Sequence, residues 1–327
     1  MLDLTIVILA KTDSDLSPVL VALARQTGLE RFTWEVLLVL EAKTKAAADA
    51  ARSTEIARPD DWPKDVQLSP LVGFEQGAAE TRQEAIETVR GRLVGFLYPD
   101  MIVAPDWIRS ALDFAEANSS VGAIGSRIEP RWEREPDFDI LKLEWLMPHI
   151  GVVRLGLEPK RYFPWSRRSP LLGGTVVRRN IWLSFVPKQL FLLSASCGLG
   201  VQYADREAVF RILRSGWQIW HNPEMRIERD VPLYKVQPAY LYGAADALGR
   251  SRNNIRMLCH KPRQRPFMLV FYIVRDVLYL LWHCLRYPSP QHNIEAMCER
   301  KRALGSIKSL RYLWTYVRRR WQQGRSS

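Results

Sequence analysis

Cysteine is scarce in this chain. The four present, Cys197, Cys259, Cys284 and Cys298, show no C-x-x-C spacing, which argues against a zinc site or a disulfide framework. There is no low-complexity stretch and no internal repeat, so solenoid and linker-rich architectures are excluded. No Gly-rich phosphate loop follows the first strand-like run, which argues against a sugar nucleotidyltransferase. Met1-Leu2-Asp3 enters that run with no basic region ahead of it, so the sequence predicts no secretory leader and a cytoplasmic location. Acidic residues are scarce in one place only. From residue 250 onward there are 17 Lys and Arg against three acids, a net of +14, whereas the first 249 residues are close to neutral at −2. Such asymmetry points to a polyanionic surface, membrane or nucleic acid.

What is present suits a packed α/β domain. The 327 residues are 47% hydrophobic and 25% charged, enough to bury a full core and still build an appendage. Leu4–Leu9 and Glu35–Leu40 are short β-branched apolar runs, the pattern of strands buried on both faces. Asp13 or Ser14 is placed to cap a helix carrying Leu16, Leu20, Leu23 and Ala24. Val66–Val72 reads as a third strand, Gly77–Val89 as a helix and Leu93–Leu97 as a strand stopped by Pro99. Pro105-Asp106 opens a helix with Ile108, Ala111, Leu112 and Ala115 on one face. Val121–Ile128 and Thr175–Val177 read as strands, and Tyr203–Ser215 as a helix closed by Gly216. Strands alternating with helices predict an α/β, doubly wound, mainly parallel sheet.

In such sheets ligands bind beyond the carboxyl ends of the strands. Asp13, Glu41 and Asp100 follow three of these strands, a plausible nucleotide and metal site. Pro-Asp is also ordinary turn chemistry, and an acid near a helix start, as at Asp205, also complements the helix dipole. Gly173-Gly174 fits either a close approach of substrate or a plain turn. Trp107 and Trp132 are expected to pack in the core rather than stack on sugars.

The order of motifs resembles a family-2 glycosyltransferase of the GT-A type. Leu23-Ala24-Arg25-Gln26 is similar to that family's Leu-x-x-Gln, Leu40-Glu41 to its paired acids, and Gly77 through Gln83 to its Gly-x-x-x-Ala-Arg-Asn helix start. Phe96-Leu97-Tyr98-Pro99-Asp100 resembles its Asp-x-Asp metal motif. Pro105-Asp106-Trp107 also fits, and Ala204-Asp205, Arg211 and Gly216 keep the spacing of its Glu-Asp helix. The resemblance covers residues 4 to about 230. It implies inverting sugar transfer from a nucleoside diphosphate sugar to a glycan or lipid-linked acceptor. Glu41, Arg82 and Asp100 would hold the donor, with Asp100 ligating Mg²⁺ or Mn²⁺, and Asp205 would be the general base. Leu40, Tyr98 and Ala204 each replace an acid usual in the family. Where many members carry a late metal-binding His, Pro223 leads here to Arg229, whose charge is available in place of some of the metal's. These departures keep open a non-catalytic relative that only binds.

Beyond Pro238 the chain changes character. Phe267–Leu285 is apolar enough for a span, yet Tyr272, Arg275, Asp276, Tyr279, His283 and Arg286 recur at steps of three and four. Burying Arg275 and Asp276 in mid-bilayer would cost about 2.5–3.5 kcal/mol each, so an interfacial or protein-buried helix is expected. In the last helix Ala303, Ile307, Leu310, Trp314, Val317 and Trp321 form an apolar face among basic residues, the pattern attracted to an anionic membrane surface. No nucleic-acid motif appears, so nucleic acid is not an expected partner. The predicted organisation is a GT-A domain over 1–235, with nucleotide-sugar half 1–100 and acceptor half 101–235. A basic helical extension over 236–327 is expected to hold the protein peripherally on the inner membrane face.

Overall fold

The structure is a computed structural model and describes residues 2–42, 44–53, 56–74, 78–164, 168–188, 190 and 201–323. The side chains of 74, 78, 79, 201–203, 262 and 311–323 are excepted. Gly77 and Cys197 therefore lie outside the described residues, as do the side chains of Trp314, Val317 and Trp321.

The elements, in chain order, are β1 (Leu2–Lys11), α1 (Ser17–Ala24), β2 (Trp34–Ala42), α2 (Lys45–Ser53), β3 (Gln67–Phe74), α3 (Ala78–Thr88), β4 (Gly91–Leu97), β5 (Met101–Val103) and α4 (Trp107–Ala117). Then come β6 (Val121–Trp132), α5 (Met147–Ile150), β7 (Lys160–Tyr162), β8 (Thr175–Arg178), α6 (Arg179–Phe185), α7 (Val201–Arg214), β9 (Gln218–Val231), α8 (Pro238–Leu258), α9 (Arg265–Arg286) and α10 (Ile294–Gln323). The strands form one sheet in the order β3-β2-β1-β4-β8-β6-β9-β5, with β7 paired to β9. Pairs β3-β2, β2-β1, β1-β4 and β6-β9 are parallel. Only β5, β7 and β8 run against them.

This is the expected doubly wound, mainly parallel sheet, and its burial explains the unbroken apolar runs. Leu4, Ile6 and Ile8 share a core cluster with Leu20, Leu23, Ile108 and Leu112 of α1 and α4. Thr5 and Val7, which point to the other face, are equally buried. On that second face Phe96 of β4 meets Trp182 of α6 at 5.5 Å between ring centroids. Trp107 is fully buried and its Nε1 donates to Ser126 Oγ at 2.9 Å, so it is a core residue as expected.

Three local readings change. Helix α1 starts later than Asp13 or Ser14 would place it: Asp15 accepts from the Ser17 amide at 2.9 Å, and Ser14 Oγ accepts from the Lys11 amide at 3.1 Å. Both side chains thus shape the loop instead of capping the helix. Helix α2 and the 14-residue strand β9 were not foreseen. In β9 polar residues interrupt the apolar pattern, which hides a strand from a periodicity reading.

The chain packs as two compact units. The first comprises Met1–Trp132, Gly151–Leu190 and Arg211–Val231; the second comprises Glu133–Ile150, Phe191–Phe210 and Pro232–Ser327. The sheet lies in the first unit. In the second, α8 and α10 run side by side. A Cβ on Gly249 would come within 2.2 Å of the Arg302 carbonyl, and one on Gly305 within 2.3 Å of the Asp246 carbonyl, so these glycines permit the close crossing. Among the described residues, those of the expected extension 236–327 cluster with 133–150 and 201–210.

Candidate active site

Asp100 follows β4 through Pro99 and meets a partner 129 residues away: Arg229 Nε donates to Asp100 Oδ2 at 2.9 Å. Backbone pairing sets the contact. Met101 stands opposite Arg229 in the β5–β9 ladder, and the Asp230 amide donates to the Asp100 carbonyl at 3.0 Å. The guanidinium also sits over the Tyr98 ring, 5.4 Å from its centroid. Among the described residues only its Nε is committed, to Asp100. Gly151, at φ +98°, admits the cation closely, since a Cβ there would lie 2.6 Å from an Arg229 Nη.

Gly173 and Gly174 have structural reasons of their own. A Cβ on Gly173 would stand 2.3 Å from the Tyr98 ring, and Gly174 adopts φ +85°. The pair makes room for Tyr98 and turns the chain into β8.

Glu41, next to last in β2, is half-buried and in register with Lys11 of β1 and Gly73 of β3. Beside these strand ends a cleft of about 700 Å³ is bordered by Lys11, Thr12, Asp13, Ala47, Ala51 and Arg58. That volume is in the range of small-ligand sites. Asp13, Glu41 and Asp100 do not gather into one cluster: among the described residues no group of three or more His, Cys, Asp or Glu could hold a metal ion. The reason is register. β1 pairs β2 out to Lys11–Glu41 but pairs β4 only to Ile8–Leu97, after which Pro99 turns Asp100 towards β9.

Arg82 is 1% exposed in α3, with its guanidinium over the Trp182 ring at 5.6 Å. Trp182 Nε1 in turn donates to Gln83 Oε1 at 3.0 Å. Arg82 is thus enclosed between α3 and α6 inside the first unit. Asp205 belongs to the second unit and is buried in α7, beyond that helix's first turn, where attraction to the helix dipole has faded. Gly216, at φ +97°, closes α7 as predicted.

The Mg²⁺ or Mn²⁺ implied at Asp100 does not fit the residues there. A hard divalent cation needs several oxygen ligands. Here the neighbouring motif position is Tyr98, and Asp100 already holds a guanidinium.

His221, fully buried on β9, is not part of this pair. Burial pushes its imidazole below the ordinary 6.5, Lys160 and Arg127 add to this, and backbone groups of Gly156 and Ser126 pull the other way. The folded state thus binds the proton less readily than the unfolded chain. The stability this contributes is complete above the ordinary value and is lost as pH falls below it. Thermal melts between roughly pH 7.5 and 5.5 should show a falling midpoint that is flatter in His221→Leu. Parallel slopes for the two proteins would remove His221 as the cause.

The large, mainly parallel sheet covered on both faces, with charged residues at its carboxyl edge, agrees with the GT-A fold expected from the sequence. The glycosyl transferase family 2 model matches residues 5–163, a little under half of the chain, and that segment is similar to this family, whose activity is glycosyl transfer from nucleotide sugars. No curated protein matches the chain. Among solved structures, S. aureus TarS 1–349 is similar at 14% identity and TM-score 0.49, over 95% of this chain and 91% of that one. The same fragment in complex with UDP aligns with TM-score 0.45 at 14% identity, with the same coverage of both chains. GalNAc-T7 with UDP, GalNAc and Mn²⁺ aligns at 14% identity and TM-score 0.46, over 76% of this chain and 48% of that one. Likeness at this level says nothing of this chain's donor or acceptor.

Proposed function

We propose that this protein is an inverting, hexosyltransferase-like enzyme. It would move a sugar from a nucleoside diphosphate sugar to a glycan or lipid-linked acceptor, in polysaccharide or glycoconjugate synthesis. The observation that carries the reading is the Asp100–Arg229 pair at the carboxyl edge of the sheet. In the transfer, Asp205 takes the proton of the acceptor hydroxyl, the acceptor oxygen bonds to the anomeric carbon, and the bond from that carbon to the diphosphate breaks. The leaving diphosphate gains negative charge. Arg229, oriented by Asp100 through Nε, directs its remaining N–H donors at that charge, and a guanidinium suits phosphate oxygens. The cleft beside Lys11 and Asp13 suits the nucleoside by size, and Glu41 lies at its sheet edge. Arg82, between α3 and α6, would hold the donor diphosphate or steady the site around it.

The basic second unit would keep the enzyme at the cytoplasmic face of an anionic membrane, where a lipid-linked acceptor would be met. The missing acids at Leu40, Tyr98 and Ala204 favour the rival reading, a relative that binds nucleotide sugar without turnover. Incubating the protein with a panel of nucleoside diphosphate sugars and measuring released diphosphate separates the two. Release from at least one donor is expected. Donor binding with no release over many hours would establish the binding-only reading.

A further inference from the structure

Helix α9 is inverted relative to an ordinary surface helix, which turns its apolar stripe inward. Phe267, Phe271, Val274, Leu278, Trp282 and Leu285 step by three and four along one side, and all are exposed, Val274 by 52% and Leu285 by 84%. The opposite side is polar and turned into the second unit. Asp276 is 4% exposed there, accepts from Arg256 Nη2 of α8 at 2.9 Å, and also accepts from Ser306 Oγ of α10. Burial alone would raise this carboxyl, but the hydrogen bonds from Arg256 and Ser306, with the nearby Arg252, hold it below its usual range. Tyr279 OH donates to Glu299 Oε2 at 2.7 Å, and Arg256 lies over the Tyr272 ring at 4.5 Å. These contacts fix which side of α9 faces out.

The same arrangement excludes a simple span. Helix α9 is long and apolar enough to cross a bilayer. Its inner side, however, is joined to α8 and α10, and Lys308 of α10 is exposed. Carrying that layer into hydrocarbon would bury charge. Helix α10 does not offer an alternative apolar face in its described part: Ala303 is buried, and Ile307 and Leu310 are half-buried. The outward side of α9 is bounded by cations, with Lys261 and Arg263 exposed before it and Arg286 exposed at its end. From residue 250 onward the net charge is +14.

We infer that α9 lies in the plane of an anionic phospholipid surface, with its Phe267–Leu285 side among the acyl chains and the flanking Lys and Arg on the headgroups. This deepens the membrane part of the proposed function and does not depend on turnover. The test uses the full chain, because Ser306 and Gly305 pack within the second unit and truncating α10 would unfold what is being tested. Sedimentation with vesicles of phosphatidylcholine alone, and of phosphatidylcholine with phosphatidylglycerol, is compared for the wild type and a variant combining Phe271→Ser, Leu278→Ser and Trp282→Ser. The three positions are exposed, so circular dichroism and the melting midpoint should be preserved. The wild type should bind the anionic vesicles, and the variant at least about tenfold less. Salt should weaken wild-type binding only partly. Wild type that ignores anionic vesicles at low salt overturns the inference. So does a wild-type dimer that the triple variant converts to monomer without change in vesicle binding, since the face would then join two copies. Vesicle binding by a protein that releases no diphosphate supports this inference and counts only against the enzymatic reading.

Discussion

Asp205→Asn is expected to lower turnover by about 10²–10⁴-fold while leaving donor affinity nearly unchanged, the usual worth of a general base. Amide and carboxylate are close in size, so a buried position such as this one should keep its packing. The prediction follows from the reaction. An acceptor hydroxyl is a poor nucleophile until its proton is removed, whereas the diphosphate needs no acid to leave once its charge is met. One carboxylate is therefore sufficient. Glu207, two residues along α7 and fully buried, provides the control, because residues two apart on a helix do not share a face. If Asp205→Asn turns over at near-normal rate, Asp205 has no part in the chemistry.

Arg229→Ala should weaken binding of the donor's nucleoside diphosphate by about 10–10²-fold, the range for charge-assisted hydrogen bonds. Added Mn²⁺ should not restore it, and a chelator should leave wild-type affinity unchanged. Arg229→Lys should recover only part of the loss, since an ammonium cannot hold Asp100 and a phosphate with one planar fork. Titration calorimetry with the nucleoside diphosphate, with and without Mn²⁺, reads all three effects. A wild type that binds only when Mn²⁺ is present would show that Asp100 serves a metal after all and that Arg229 is incidental.

Much of the nucleotide half was legible from residue order alone. The runs at Leu4–Leu9, Glu35–Leu40 and Leu93–Leu97 are apolar without alternation because both faces of β1, β2 and β4 are covered. Gly216 announced the end of α7 because a left-handed residue is needed there, with φ +97°. Strand β9 was not legible. Its His221, Asn222, Glu224 and Arg226 break the pattern, although it lies between β6 and β5 and carries Arg229.

By itself the sequence determined the α/β class, the likeness of residues 5–163 to family-2 glycosyl transferases, the candidate acids and the concentration of positive charge after residue 250. These depend on composition and on neighbours within a few turns or strands, which periodicity records. Only the tertiary structure decided what Asp100 touches, since its partner lies 129 residues away and is brought in by a backbone ladder. It also decided that Arg82 is enclosed against Trp182. For α9 the sequence supplied two faces without saying which is inward. The choice was made by Arg256 and Ser306, which give Asp276 the hydrogen bonds a buried carboxylate requires, and so leave the apolar side outside.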